Sequence, residues 1–247
     1  MHRSGLPVVA LISLALVVGA CGGSSQPPAE QAPVSSSALA AHMAEHFARV
    51  REVEEAVIRG DIAAAQAPAR WIADHEEAAG LPPGSDAFVS EMKNAADAVA
   101  SSTEIGQAAV ATASMVSTCG RCHAGAGVIP SLPAVSAPEA AAGTPGHMRQ
   151  HQYAVDLMYR GLIQPSDELW RKGAETLRAS PLAEKELPDL MDEIALFEAR
   201  VHELADRATQ ALDRGAKVAI YGEIISGCAN CHGSHGKVWG PGVPKIQ

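Results

Sequence analysis

Two short stretches with the same pattern, C-x-x-C-H, constrain this chain more than any other feature of its sequence. They occupy residues 119–123 and 228–232. Two cysteines three positions apart lie on one face of a helix, where each can form a thioether bond with a vinyl group of one porphyrin, and the next histidine can bind the iron. Histidine makes up only 10 of the 247 residues. Its presence after both cysteine pairs therefore favours covalent haem attachment over a zinc or redox site.

This interpretation predicts two covalently attached c-type haems and assigns a role to six residues. The thioether bonds are predicted at Cys119, Cys122, Cys228 and Cys231. The haem irons are predicted to be bound by His123 and His232. A structural zinc ion at the paired cysteines is a weaker alternative, because the two pairs are 109 residues apart and zinc ribbons use a spacing of about 15 to 20 residues.

The N-terminus has the features of an export signal. Arg3 precedes an apolar run over residues 6–20, which is too short to be a lasting membrane anchor. The run ends in the sequence Val-Gly-Ala-Cys, which resembles the lipobox of bacterial lipoproteins, where cleavage precedes the cysteine and its thiol then carries lipid. We therefore predict a signal peptide over residues 1–20, a lipidated Cys21 and a flexible tether rich in Pro, Ser and Gly over residues 21–37.

Composition narrows the location and the partners. The five cysteines are all assigned, one to lipid and four to haem, so no disulfide is predicted. Haem attachment of this type takes place outside the cytoplasmic membrane, so the export signal and the C-x-x-C-H stretches support each other. The net charge of −9 argues against nucleic acid as a partner. We expect a lipid-anchored protein on the periplasmic side of a bacterial membrane, with periplasmic or membrane redox proteins as partners.

An internal repeat organises the rest of the chain. Residues 42–46 recur as residues 147–151, at an offset of 105, whereas the C-x-x-C-H stretches recur at an offset of 109. Within each copy, apolar residues follow helical spacing, and strand-like alternation is absent. Asp61, Ser85 and Ser166 are predicted to cap helices at their N-termini. The last helix of each copy is predicted to begin near Gly106 or Gly215 and to stop at Gly125 or Gly233.

The sequence therefore predicts an all-α protein made of two tandem four-helix bundles, each with a C-x-x-C-H haem motif at the end of its fourth helix. The first haem bundle is predicted over residues 38–125 and the second over residues 147–235. Residues 126–146, which are rich in Pro, Ala and Gly, are predicted to be a linker between them. A loose tail is predicted over residues 236–247.

A bundle with C-x-x-C-H near the end of its fourth helix, and a first helix that reads Met-Ala-Glu-His-Phe over residues 43–47, resembles the cytochrome c′ and cytochrome c-556 family. The resemblance implies that the first helix faces the open side of the iron. In that family, cytochromes c′ leave the iron five-coordinate, whereas c-556 proteins supply a methionine. The corresponding positions here are Ala40 and Pro145. Neither can bind iron, so the resemblance does not assign the sixth ligand.

Two residue types in the first helix of each copy are candidates for the distal side of the iron. Met43 and Met148 lie on the apolar face, where the alternative to ligation is ordinary core packing. For His46 and His151 the alternatives are a hydrogen bond to a haem propionate or exposure to solvent. For His42 and His147, which point further from the apolar stripe, a surface or N-terminal-turn role is predicted. Solvated or hydrogen-bonded roles, without ligation, are predicted for His75, His202 and His235. Glu52, Glu54 and Glu55 are predicted to form a solvated helix face.

These observations favour an electron carrier with two haems. A cytochrome c′-type protein that binds nitric oxide or carbon monoxide, as a sensor or scavenger, is the alternative, because an empty sixth position allows small ligands to bind. A haem peroxidase is a third hypothesis, in which His46 or His151 would act as the distal base. The sequence has no nucleotide-binding loop and no catalytic motif beyond the haem stretches.

Overall fold

A computed structural model describes residues 36–139, 143–180 and 191–234. The described residues form eight helices and no strand, which confirms the all-α class. In chain order these are α1 Ser36–Ile58, α2 Ile62–Asp74, α3 Asp86–Ser101, α4 Ile105–Gly125, α5 Gly143–Ile163, α6 Asp167–Arg178, α7 Met191–Gln210 and α8 Arg214–Ser234. The predicted signal peptide 1–20, Cys21, the tether up to residue 35, His235 and the tail 236–247 lie outside the described residues.

Most of the predicted helix ends agree with the structure. The Asp61 side chain accepts a hydrogen bond from the Ala64 backbone N–H at 2.9 Å and so caps α2. Ser166 caps α6 in the same way. The prediction for Ser85 is wrong in its chemistry. Ser85 precedes α3, but its hydroxyl donates to the Pro82 carbonyl at 2.7 Å and makes no capping bond, because the chain turns back on itself there.

The end of the predicted linker differs from the structure. Helix α5 begins at Gly143, four residues before His147, so the last part of the predicted linker 126–146 is helical. A proline in the first turn of a helix lacks only an N–H that would be unpaired in any case, so Pro145 does not prevent this start. Residues 126–139 contain neither helix nor strand.

The helices pack along the chain in two similar series. Helix α1 contacts α2 and α4, and α3 contacts α2 and α4; in the same way α5 contacts α6 and α8, and α7 contacts α6 and α8. Further contacts join the two series, above all α4 with α8, and also α4 with α5 and α1 with α8. The described residues belong to one compact unit. None of the described helices is both long enough and apolar enough to cross a membrane.

The core contains few large side chains in its first half and more in its second. Helices α2, α3 and α4 contribute many fully buried alanines, which let neighbouring helix backbones approach closely. The second half buries Tyr159, Trp170 and Tyr221 completely or almost completely. The Trp170 indole N–H donates to the Ala208 carbonyl at 2.9 Å, so this ring is both packed and hydrogen-bonded.

A buried cluster of charges joins α1, α5 and α8. The Glu54 side chain is completely buried, which contradicts its predicted place on a solvated face. Its carboxylate contacts the Arg51 guanidinium at 2.6 Å and accepts a hydrogen bond from the Tyr221 hydroxyl. Arg51 also contacts Asp156 at 2.8 Å. Glu54 is buried because α1 lies against α8, an arrangement that the helical period of α1 alone does not reveal.

Candidate functional site

The first C-x-x-C-H stretch lines a cavity that opens between helices. Cys119, Cys122 and His123 reach it from the last turns of α4. Helix α1 contributes Met43, His46, Phe47 and Val50, and further walls come from α3 and from Leu81, Pro130 and Leu132. The cavity holds about 740 Å³ of empty space, part of which is open to solvent. The structure therefore brings the predicted attachment residues and both predicted distal candidates of this copy into one site.

A second cavity has the same construction. Cys228, Cys231 and His232 line it from α8, and Met148 and His151 line it from α5. Helix α7 forms a further wall through Ile194, Phe197, Glu198 and Val201, and Ile58 at the end of α1 also lines the cavity. The empty space is about 620 Å³, again including some open solvent.

The two histidines of the C-x-x-C-H stretches are held by reciprocal hydrogen bonds. The Nδ1 atom of His123 lies 3.0 Å from the carbonyl oxygen of Ile163, the last residue of α5. The Nδ1 atom of His232 lies 2.7 Å from the carbonyl oxygen of Ile58, the last residue of α1. A histidine that binds a metal through Nε2 usually donates its Nδ1–H to such a carbonyl, which fixes the tautomer and the ring orientation. Each copy of the repeat therefore orients the C-x-x-C-H histidine of the other copy.

The surroundings of the cysteines favour an uncharged sulfur atom over a thiolate. Burial raises the pKa of the Cys119 thiol to about 12, and Cys122 nearby raises it further. Burial likewise raises the pKa of the Cys228 thiol to about 12, with Cys231 adding to the effect. A thioether carries no charge and can lie in an apolar cavity at little cost, so the surroundings of these sulfur atoms are compatible with thioether attachment of a haem.

The distal candidates differ between the two copies. Burial lowers the pKa of His46 to about 4, although Glu77 opposes this shift. Burial also lowers the pKa of His151 to about 4, against the opposing charge of Glu198. Both imidazoles are neutral at pH 7. The Nε2 atom of His46 has no hydrogen-bond partner among the described residues, whereas Nε2 of His151 lies 2.8 Å from the Ser180 carbonyl oxygen. Of these two Nε2 atoms, that of His46 is the one left without a hydrogen bond within the described part of the chain.

The sequence analysis does not predict that two further histidines are buried beside the cavities. His42 and His147 were predicted to have surface roles, but their side chains are 10% and 8% exposed. His42 contacts Glu77, and His147 contacts Glu198. The sequence did hold a signal for this, because histidines four positions apart on one helix share a face, and both copies have such a pair. His202 makes its predicted kind of contact, a hydrogen bond to Glu198 at 3.0 Å.

Comparison of the chain with protein-family models, with curated proteins and with solved structures found no match.

Proposed function

We propose that this protein is a di-haem c-type cytochrome that carries electrons between redox partners on the periplasmic side of a bacterial membrane. The observation that carries the proposal is that each C-x-x-C-H stretch lines a cavity and that its histidine is already oriented through Nδ1 by a backbone carbonyl. In this proposal the chain forms two tandem four-helix bundles, and lipid on Cys21 attaches it to the membrane.

The main residues of the first cavity have distinct roles in this function. Cys119 and Cys122 would hold the haem covalently, and Nε2 of His123 would bind its iron. The bound group supplies one-electron redox chemistry through its iron. The Ile163 carbonyl fixes the His123 ring, and apolar side chains such as Phe47, Val50 and Leu132 exclude water. Cys228, Cys231 and His232 have the same parts in the second cavity, where Ile58 supplies the carbonyl.

A specific observation favours the gas-binding alternative in the second cavity only. Because Nε2 of His151 lies at hydrogen-bond distance from the Ser180 carbonyl, Met148 is the one predicted distal candidate there without such a contact. If Met148 only packs in the core, the iron of that cavity keeps an open position that nitric oxide or carbon monoxide can bind. The first cavity retains both Met43 and His46.

The test of the proposed function is a haem count in the exported protein. We expect two covalently bound haems per chain, measured by absorbance in alkaline pyridine, and one-electron reduction of each haem that is reversible. Serine at both Cys119 and Cys122 is expected to leave one haem, and serine at both Cys228 and Cys231 is expected to leave the other. A wild-type chain without covalent haem contradicts the proposal.

Carbon monoxide added to the same reduced sample separates the two functions. An electron carrier with both irons six-coordinate is expected to leave the gas unbound, whereas uptake of one equivalent that disappears with the Cys228/Cys231 double substitution supports gas binding in the second cavity.

A further inference from the structure

The first cavity adjoins a cluster of three histidines, of which only His46 is also a distal candidate in the haem proposal. His42 and His46 come from successive turns of α1, and His75 follows the last turn of α2. One ring nitrogen of each lies within 4.8 Å of one ring nitrogen of each of the others. Glu77 closes the group, because its Oε2 atom lies 3.1 Å from Nε2 of His42 and 3.9 Å from Nε2 of His46.

Two buried atoms of this cluster lack the partners that such atoms normally have. Neither Nε2 of His46 nor Oε1 of Glu77 forms a hydrogen bond with any described residue. A buried polar atom without a hydrogen bond costs about 1 to 3 kcal/mol, so native proteins rarely keep two of them side by side. A bound cation would satisfy a nitrogen lone pair and a carboxylate oxygen at once.

We propose that His42, His46 and His75, together with Glu77, bind a divalent transition metal ion of the zinc or copper type beside the first cavity. Imidazole nitrogens and a carboxylate oxygen are the ligands that such borderline ions prefer. The pair at positions i and i+4 of one helix, with a third ligand from another segment, is a recurrent arrangement in zinc sites. The proposal does not require haem attachment, because all four residues lie outside the C-x-x-C-H stretches. It assigns His46 to the metal ion, which leaves Met43 as the distal candidate in the first cavity.

The surrounding residues hold the cluster in place. The Trp71 ring stacks on His75 with a centroid distance of 3.9 Å and contacts His46 edge-on at 5.5 Å. Lys93 donates to the His75 carbonyl, and its ammonium lies 3.9 Å from Oε1 of Glu77, so it anchors the segment that carries both residues. Tetrahedral nitrogen ligands around zinc are roughly 3.3 Å apart. Small rotations of the three rings would therefore bring the nitrogens to ligating positions.

The corresponding group in the second copy is a natural comparison. There His147, His151 and Glu198 also lie close together, but the group has two imidazoles instead of three. Nε2 of His151 already contacts the Ser180 carbonyl, and Glu198 accepts a hydrogen bond from His202. The first cluster has contacts of this kind too, since the Ala78 backbone N–H donates to Nε2 of His42 at 3.4 Å, but only the first cluster offers a third imidazole, so the proposal is confined to it.

The test is a metal count on the full chain with its remaining free thiols alkylated, so that cysteines cannot contribute. After dialysis against Zn²⁺ and removal of excess ion, we expect one zinc per chain by mass spectrometry of the metal. His75→Ala is expected to remove it and to weaken Zn²⁺ binding by more than about 100-fold, since loss of a ligand exceeds the tenfold to hundredfold cost of losing an outer partner. His147→Ala, the matched control, is expected to retain it.

Three outcomes overturn the proposal. The first is a wild-type chain without zinc, and the second is a His75→Ala variant with unchanged Zn²⁺ affinity. The third is loss of zinc in His147→Ala while His75→Ala retains it. His42→Asn gives a second removal of one ligand if His75→Ala does not fold as judged by circular dichroism. The haem count is measured on the same samples. A chain with two haems and no zinc would refute only the metal site, and a chain with zinc and no haem would refute only the proposed function.

Discussion

Gly120→Ala is expected to lower the free energy of unfolding by about 3 kcal/mol, at the upper end of the usual cost of overpacking a core. Gly120 is the second residue of the first C-x-x-C-H stretch, inside α4. A Cβ atom there would lie 1.8 Å from the Leu162 carbonyl oxygen and 3.1 Å from the Arg214 guanidinium. Because the first of these is a backbone atom near the end of α5, the clash can be relieved only by moving one helix relative to the other.

The sign of this effect makes the prediction specific. Inside an unconstrained helix, glycine to alanine stabilises by about 1 kcal/mol. Gly106→Ala is the matched control, because Gly106 lies in the same helix and a Cβ there would meet only the Ser226 hydroxyl at an ordinary 3.6 Å. We expect this control to be neutral or slightly stabilising. Urea unfolding of the haem-loaded variants measures both, and a Gly120→Ala protein as stable as the control would contradict the close approach of α4 and α5.

The local features of the fold could be predicted from the sequence, because neighbouring residues determine them. The helical period, the caps at Asp61 and Ser166 and the end of α4 at Gly125 all depend on residues within a turn or two. The repeat also predicted that the first helix and the C-x-x-C-H stretch of each copy contribute to the same site. The structure places Met43 and His46 in one cavity with Cys119. The all-α class followed from these local signals.

Features that depend on contacts between the copies could not be predicted in this way. The carbonyls of Ile163 and Ile58 that orient His123 and His232 are backbone atoms, and any residue type supplies one. The burial of Glu54 likewise follows from the packing of α1 against α8. Composition and periodicity describe one helix at a time, so they do not show which helices meet.

The contacts between the copies are arranged as in a symmetric dimer. Arg51 and Asp156 occupy equivalent positions at the repeat offset of 105, and they contact each other at 2.8 Å. Ala113 and Gly222 are equivalent at the offset of 109, and a Cβ at Gly222 would lie 3.5 Å from that of Ala113. Equivalent residues meet only near a two-fold axis. The copies are thus related by an approximate two-fold, which explains why the histidine-to-carbonyl hydrogen bonds are reciprocal.

Arg51→Met is expected to destabilise the protein in a manner that depends on pH. Burial raises the pKa of Glu54 from 4.5 to about 7, although the Arg51 charge and the Tyr221 hydrogen bond oppose this shift. Without the guanidinium, the pKa of Glu54 rises further, and ionisation leaves a buried carboxylate that accepts a hydrogen bond from the Tyr221 hydroxyl but has the Asp156 carboxylate nearby. Breaking a buried ion pair in this way costs about 3 to 5 kcal/mol. We expect a loss of that size at pH 8 and a clearly smaller one at pH 5.

The direction follows from proton linkage. The folded-state pKa of Glu54 lies above its unfolded value, so between these values the folded chain holds a proton that the unfolded chain has released, and stability falls as pH rises. Removing Arg51 raises the folded-state pKa of Glu54 further, so the pH range over which stability falls extends to higher pH. Arg70→Met is the control, because its ion pair with Asp97 is more than half exposed on both sides and is worth less than about 1 kcal/mol. Equal losses for Arg51→Met at pH 5 and pH 8, measured by urea unfolding, would show that Glu54 does not titrate in this range and that the destabilisation comes from lost packing alone.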